Sequence, residues 1–282
     1  MRRPRAREIS HRTRYLTVSS VLGLVVGFDQ VPVRPWYSRR MHIAFDADDT
    51  LWHNEPIFIL TQDRVSELLS EWATPDALGA RLNTVERRNL SLFGYGSKGF
   101  TLSLLETALE LSGGRVSGEV VQRILDYGKA MIEHPVELLP GVEETLRQLA
   151  GEHPILLITK GDLFHQETKI ARSGLADLFD AIEIVSEKDP ATYRQVLDRH
   201  GVAAERFVMV GNSVKSDILP VLALGGHAIH VPYESSWELD RVEHRGAEAE
   251  GFHVAETLRE VPALLQSIAS MGWVEESPRS AR

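Results

Sequence analysis

From Pro140-Gly141 onward the chain alternates short apolar runs with helix-periodic segments, and no other feature constrains its fold as tightly. Strands are predicted at 154–158, 181–185, 206–210 and 228–231, with an edge strand at 252–254. Helices are predicted between them: 163–173 stopped by Gly174, 191–200 stopped by Gly201, 218–224, and 257–268. Alternation of this kind implies right-handed βαβ crossovers and a parallel sheet with helices on both faces, a Rossmann-like α/β fold. One more strand, His42 to Asp46, stands apart from the rest. Between it and Pro140 the periodicity is helical throughout. Val65, Leu68, Leu69 and Trp72 share a face, as do Leu78, Leu82 and Val85. Leu105, Ala108, Leu109 and Ser112 form a third face closed by Gly113-Gly114, and Val121, Ile124, Leu125, Gly128 and Met131 a fourth, opened by Ser117 as N-cap. Four helices and no strand predict an all-helical cap domain inserted after the first strand.

Polar groups suited to chemistry fall just after four of the predicted strands. They are Asp46-Ala47-Asp48-Asp49-Thr50, Thr159-Lys160-Gly161-Asp162, Glu187-Lys188-Asp189-Pro190, and Gly211-Asn212-Ser213 with Asp217. In open α/β sheets ligands bind beyond the carboxyl ends of the strands, so all four groups should meet in one crevice. Asp49 on its own reads as a turn residue.

These residues carry a family resemblance. From Met41 onward the chain resembles the haloacid dehalogenase superfamily, in its phosphatase branch with a helical cap after the first strand. Asp46, Asp48 and Thr50 match its D-x-D-x-T motif, and Thr159, Lys188 and Gly211 to Asp217 match the other three motifs in order. The resemblance implies Mg²⁺-dependent hydrolysis of a small phosphate monoester. Asp46 would be the nucleophile and Asp48 the general acid, then base; Thr159, Lys160 and Lys188 would hold the phosphate. Asp46, Asp48 through its carbonyl, Asn212 and Asp217 would hold the metal. The charge of Asp46 is expected to raise the pKa of Asp48. The family usually has aspartate where this chain has Asn212, which lowers the charge of the metal shell. A dehalogenase would use the same aspartate but expels halide, which needs no proton, so Asp48 favours phosphate. A phosphotransferase differs only in the acceptor. A phospho-accepting binding module is the rival from another class, although such receiver domains lack an inserted helical bundle.

The domain division follows: catalytic core 41–55 and 136–271, cap 56–135, and a tail 272–282. Residues 1–40 hold nine arginines against Glu8 and Asp29, then a mildly apolar stretch too short to span a membrane. They are read as a basic leader or mis-assigned start outside the fold, with a targeting segment as the alternative. The net charge of −9 disfavours nucleic acid as a partner, and no membrane association is expected. The absence of cysteine excludes thiol chemistry and fits a cytoplasmic setting. Oligomeric state is left open. Within the cap, the glycine-rich stretch Phe93 to Phe100 is expected to be a loop facing the crevice. Tyr95, Lys98 and the nearby Arg87 are the candidate specificity residues, Lys98 meeting a second anionic or hydroxyl group of the substrate.

Overall fold

In the computed structural model, residues 16–18 (backbone only), 40–234 and 250–270 are described. The expected polar loop at 233–251 and the tail at 272–282 fall largely outside them.

The strands are β1 (Leu16–Val18), β2 (His42–Phe45), β3 (Ile155–Lys160), β4 (Ala181–Val185), β5 (Phe207–Gly211), β6 (His227–His230) and β7 (Phe252–Val254). They form one sheet in the order β1-β4-β3-β2-β5-β6-β7, with every pair parallel. β1 registers Leu16 against Ile182 at the sheet edge, so three residues of the presumed leader pair with the fold. The remaining leader residues, apart from Arg40, lie outside the described part.

Residue alternation explains why this sheet is covered on both sides. Ile43, Phe45, Ile155, Leu157, Val208 and Val210 point to one face. There they pack on α5 (Val142–Ala150) and α9 (Val261–Ser270) through Leu146, Leu149, Leu265 and Ile268. Ala44, Leu156, Ile158, Phe207 and Met209 point the other way, onto Tyr193, Val196 and Leu197 of α7 (Pro190–His200). α6 (Leu163–Ser173) ends at Gly174 in the left-handed conformation, as its sequence predicts. α8 is a single turn, Leu219–Leu222, preceded by a wide π-turn over Val214–Ile218.

Between β2 and α5 lie α1 (Glu55–Leu68), α2 (Pro75–Phe93), α3 (Ser97–Ser112) and α4 (Gly118–Glu133). They build a separate apolar cluster from Val65, Leu69, Leu78, Leu82, Phe100, Leu104, Ala108, Ile124 and Met131. Ser117 caps α4 by accepting from the Val120 amide, and Gly113 ends α3 at φ 64°. The two linkers of this insertion run side by side: Leu139 N donates to Leu51 O and His53 N to Glu137 O. The glycine-rich stretch is not the extended loop its composition predicts. Only Gly94 to Gly96 leave the helical path, while Phe93 closes α2 and Lys98, Gly99 and Phe100 already belong to α3. Gly96, at φ 106°, supplies the backbone conformation that lets one helix follow the other so closely.

Candidate active site

The chain leaves β2 through Asp46 and turns at once. Asp49, at φ 60°, brings its carboxylate under the start of α1, where it accepts from the amides of Asn54 (2.8 Å) and Glu55 (3.0 Å). Turn and helix cap are thus one residue's work, and the expected turn role of Asp49 holds. Thr50 Oγ1 lies 3.1 Å from Asp46 Oδ2 and 3.2 Å from Asn212 Oδ1, and accepts from the Asn212 amide at 3.1 Å. This hydroxyl joins the ends of β2 and β5.

Lys188, almost wholly buried, donates to Asp46 Oδ1 and, at 2.7 Å, to Asp217 Oδ1. The other Asp217 oxygen accepts from Ser213 N at 3.0 Å. The π-turn carries Asp217 so close to Gly211 that a Cβ there would lie 2.3 Å from the carboxylate, so only glycine fits. Two buried carboxylates facing one buried ammonium leave excess negative charge. Burial, reinforced by Asp217, pushes Asp46 up to about 7 against the pull of Lys188. Burial works against the charge of Lys188, but Asp217 and Asp46 outweigh it and hold its pKa above the usual value.

Asp48 departs from expectation. Burial raises its pKa, yet the Lys169 ammonium with hydrogen bonds from Lys169, Gln166 and Trp52 outweighs this and brings it below the usual carboxylate range. The charge of Asp46 does not decide it. Gln166 and Lys169 are functional candidates that the motif reading missed. They stand three residues apart on α6, on the side that also carries the buried Ile170, but nothing in the sequence ties that side to Asp48.

Asp46, Asp48, Asp49, Thr159, Lys160, Lys188, Asn212 and Asp217 all line one cavity of about 650 Å³ between the sheet and the insertion. Thr159 is buried and accepts from Gln166 at 3.3 Å. Lys160 donates to Ser216 Oγ at 2.9 Å and lies over the Tyr95 ring, 4.3 Å from its centroid. His165, on the same wall, is driven down to about 4 by burial and then by Lys169, so it is neutral at pH 7.

The insertion residues are sorted differently from the sequence reading. Tyr95 lines the cavity and donates to Glu187 Oε2 at 2.6 Å. Lys98 does not line it; it pairs with Asp162 at 2.9 Å on the exposed rim, so its charge is already answered by the core. Arg87 is exposed on α2 and is absent from the lining, because the side of α2 that reaches the cavity carries Glu86, Asn89 and Leu90 instead.

Among the described residues, no three His, Cys, Asp or Glu side chains cluster as a ready-made metal site. The oxygen donors that converge are the Asp46 and Asp217 carboxylates and the Asn212 amide, with the Asp48 carbonyl adjacent in sequence. A hard cation would offset their excess charge, and Mg²⁺ commonly binds through few protein groups plus substrate oxygens, so the set fits that ion.

Known proteins share this fold. The chain is 41% identical to a haloacid dehalogenase-like family hydrolase from Xanthomonas campestris, with a TM-score of 0.74 over 86% of this chain and 97% of that one. A 2-haloacid dehalogenase from Pseudomonas syringae pv. Tomato DC3000 is 25% identical, with a TM-score of 0.54 over 81% and 99%. Glyceraldehyde 3-phosphate phosphatase of Pyrococcus furiosus is 27% identical over 70% of this chain and 83% of its own length. Pyrimidine 5'-nucleotidase YjjG of Escherichia coli is 30% identical over 40% of this chain, and the match spans 56% of that protein. The profile of the haloacid dehalogenase-like hydrolases matches residues 41–225, most of the described fold. The chain belongs to the haloacid dehalogenase-like hydrolase family.

Proposed function

We propose that this hydrolase cleaves a small phosphate monoester through a covalent intermediate on Asp46. One observation carries the reading: a second carboxylate, Asp48, lines the same cavity two residues past the nucleophile. Displacing halide from carbon would give it nothing to protonate, whereas an alkoxide leaving from phosphorus needs a proton. Relatives named as phosphatase and nucleotidase support the same choice.

An Asp46 oxygen attacks phosphorus and the bond to the leaving oxygen breaks, that oxygen taking a proton from Asp48. Water then attacks the aspartyl-phosphate, giving a proton to Asp48 and releasing phosphate and free Asp46. The resting site holds Asp48 ionised, the form that accepts this proton. For the first step Asp48 takes a proton from solvent as the phosphate's negative charge arrives, and after the second step it already carries the proton that the water gave up. Lys188 places a fixed positive charge against the phosphoryl group, with Thr159 and Lys160 on the same wall. Asp46, Asp217, Asn212 and the Asp48 carbonyl would hold Mg²⁺, which when bound offsets charge between the nucleophile and the phosphate. The helical insertion, residues 56–135, serves as a cap that excludes water and macromolecular substrates, leaving a small phosphorylated metabolite as partner. A cytoplasmic setting, without nucleic acid or membrane, belongs to the same reading. Among the described residues no helix is long and apolar enough to cross a membrane.

The test is phosphate release across a panel of sugar, nucleotide and small organic phosphates, with and without Mg²⁺, for wild type and Asp46→Asn. The variant should retain its melting temperature and lose turnover by several orders of magnitude, since an amide forms no acyl phosphate. Ordinary activity in Asp46→Asn would remove the nucleophile assignment.

A further inference from the structure

Asp48 sits in a cage of donors. Trp52 Nε1 reaches Oδ1 at 2.6 Å and Gln166 Nε2 reaches Oδ2 at 2.9 Å. Lys169 Nζ alone contacts both oxygens, at 2.6 and 2.7 Å, and also bonds Asn54 Oδ1 at 3.1 Å. Its side chain is only 12% exposed, so the contact is little screened by solvent. Trp52 and Gln166, each on a different oxygen, oppose rotation about the Cβ–Cγ bond. Lys169, close to both oxygens, adds the charge that anchors the group in that place. Asn54 is the last residue before α1, so the same ammonium ties Asp48 to the linker of the helical insertion.

We propose that Lys169 is a positioning residue for Asp48, holding its carboxylate in the orientation that serves the leaving oxygen and later the attacking water. This rests on the phosphatase reading above. It has a consequence that a purely structural lysine lacks: loss of Lys169 should matter in proportion to how much the leaving group needs a proton.

The experiment compares p-nitrophenyl phosphate, whose leaving group is already acidic, with an alkyl ester, glycerol phosphate. Lys169→Met should lower kcat on the alkyl ester on the order of 10²-fold, the usual span of general acid–base catalysis, but under about tenfold on the aryl ester. Lys169→Arg should recover much of the alkyl activity, because a guanidinium also bridges two carboxylate oxygens. Lys169→Gln, which keeps a hydrogen-bond donor without the charge, should show the same split in smaller measure. It carries the test if Lys169→Met fails to fold. Equal losses on both esters, or a loss confined to KM, would overturn the assignment while leaving the phosphatase reading intact. A wild type releasing phosphate from neither ester nor any member of the phosphate panel would overturn that reading, and the proposal with it.

Discussion

Asn212 stands where the family usually carries an acid, and its surroundings show what the exchange does. Its amide oxygen faces the Thr50 hydroxyl at 3.2 Å, and that hydroxyl also lies 3.1 Å from Asp46. A carboxylate at position 212 would bring a third negative charge toward Asp46 and Asp217, which already share one ammonium. Without metal that charge is repelled; with Mg²⁺ it is attracted. Asn212→Asp should therefore lower the melting temperature in chelator and raise the stabilisation gained on adding Mg²⁺. A tightening on the order of tenfold corresponds to about 1.4 kcal/mol. Thermal unfolding across a Mg²⁺ titration reads both effects in one protein, and an unchanged titration would remove Asn212 from the metal shell. His230 supports the position from behind, its Nε2 lying 2.9 Å from the Asn212 carbonyl.

Helices α3 and α4 touch at a point with no spare room. A Cβ on Gly128 would fall 2.3 Å from Thr101 Oγ1, and that hydroxyl is already committed to Ser97 O at 2.6 Å. Alanine is the better helix former by roughly 1 kcal/mol, yet overpacking typically costs about 1–3 kcal/mol. Gly128→Ala should therefore be net destabilising by denaturant unfolding, and Thr101→Ala in the same chain should recover most of the loss. Helices such as these were legible from sequence because apolar spacing and glycine stops are local; α6 ends at Gly174 where its pattern ends. What was not legible depends on distance. α5 is the exception, a local pattern that was passed over: Val142, Thr145, Leu146 and Leu149 are buried at helical spacing, but nine residues make a short run directly after Pro140-Gly141. The π-turn before α8 widens the helix so that Asp217 can meet Lys188, 29 residues earlier, and a period of 3.6 gives no sign of that. At the site, the four motifs did converge as their positions after the strands implied. The Lys169–Asp48 contact joins residues 121 apart, and only the fold brings it together.

The sheet and the insertion meet across the cavity through a few polar contacts. Tyr95 donates to Glu187 while its ring receives Lys160, and Lys98 pairs with Asp162 and lies 5.6 Å from the Phe164 centroid. The Lys98 pair is about half exposed on the lysine side, so it is worth at most about 1 kcal/mol and weakens in salt. Tyr95 bonding a carboxylate is worth about 1.5 kcal/mol or more. Together they hold the insertion in the arrangement that the structure shows by roughly 2 kcal/mol. A substrate large enough to touch the cap uses that arrangement; acetyl phosphate uses it far less. Tyr95→Phe should lower kcat/KM on the best natural substrate by about tenfold, and Lys98→Ala by a few-fold. Both should leave acetyl phosphate turnover nearly unchanged. Raising ionic strength should reduce the wild-type kcat/KM on the larger substrate and have less effect in Lys98→Ala, whose salt-sensitive contact is already gone. A Tyr95→Phe/Lys98→Ala double variant with wild-type kinetics on both substrates would show that these contacts do not govern access. Specificity would then rest on the cavity wall of α2, which Glu86, Asn89 and Leu90 line.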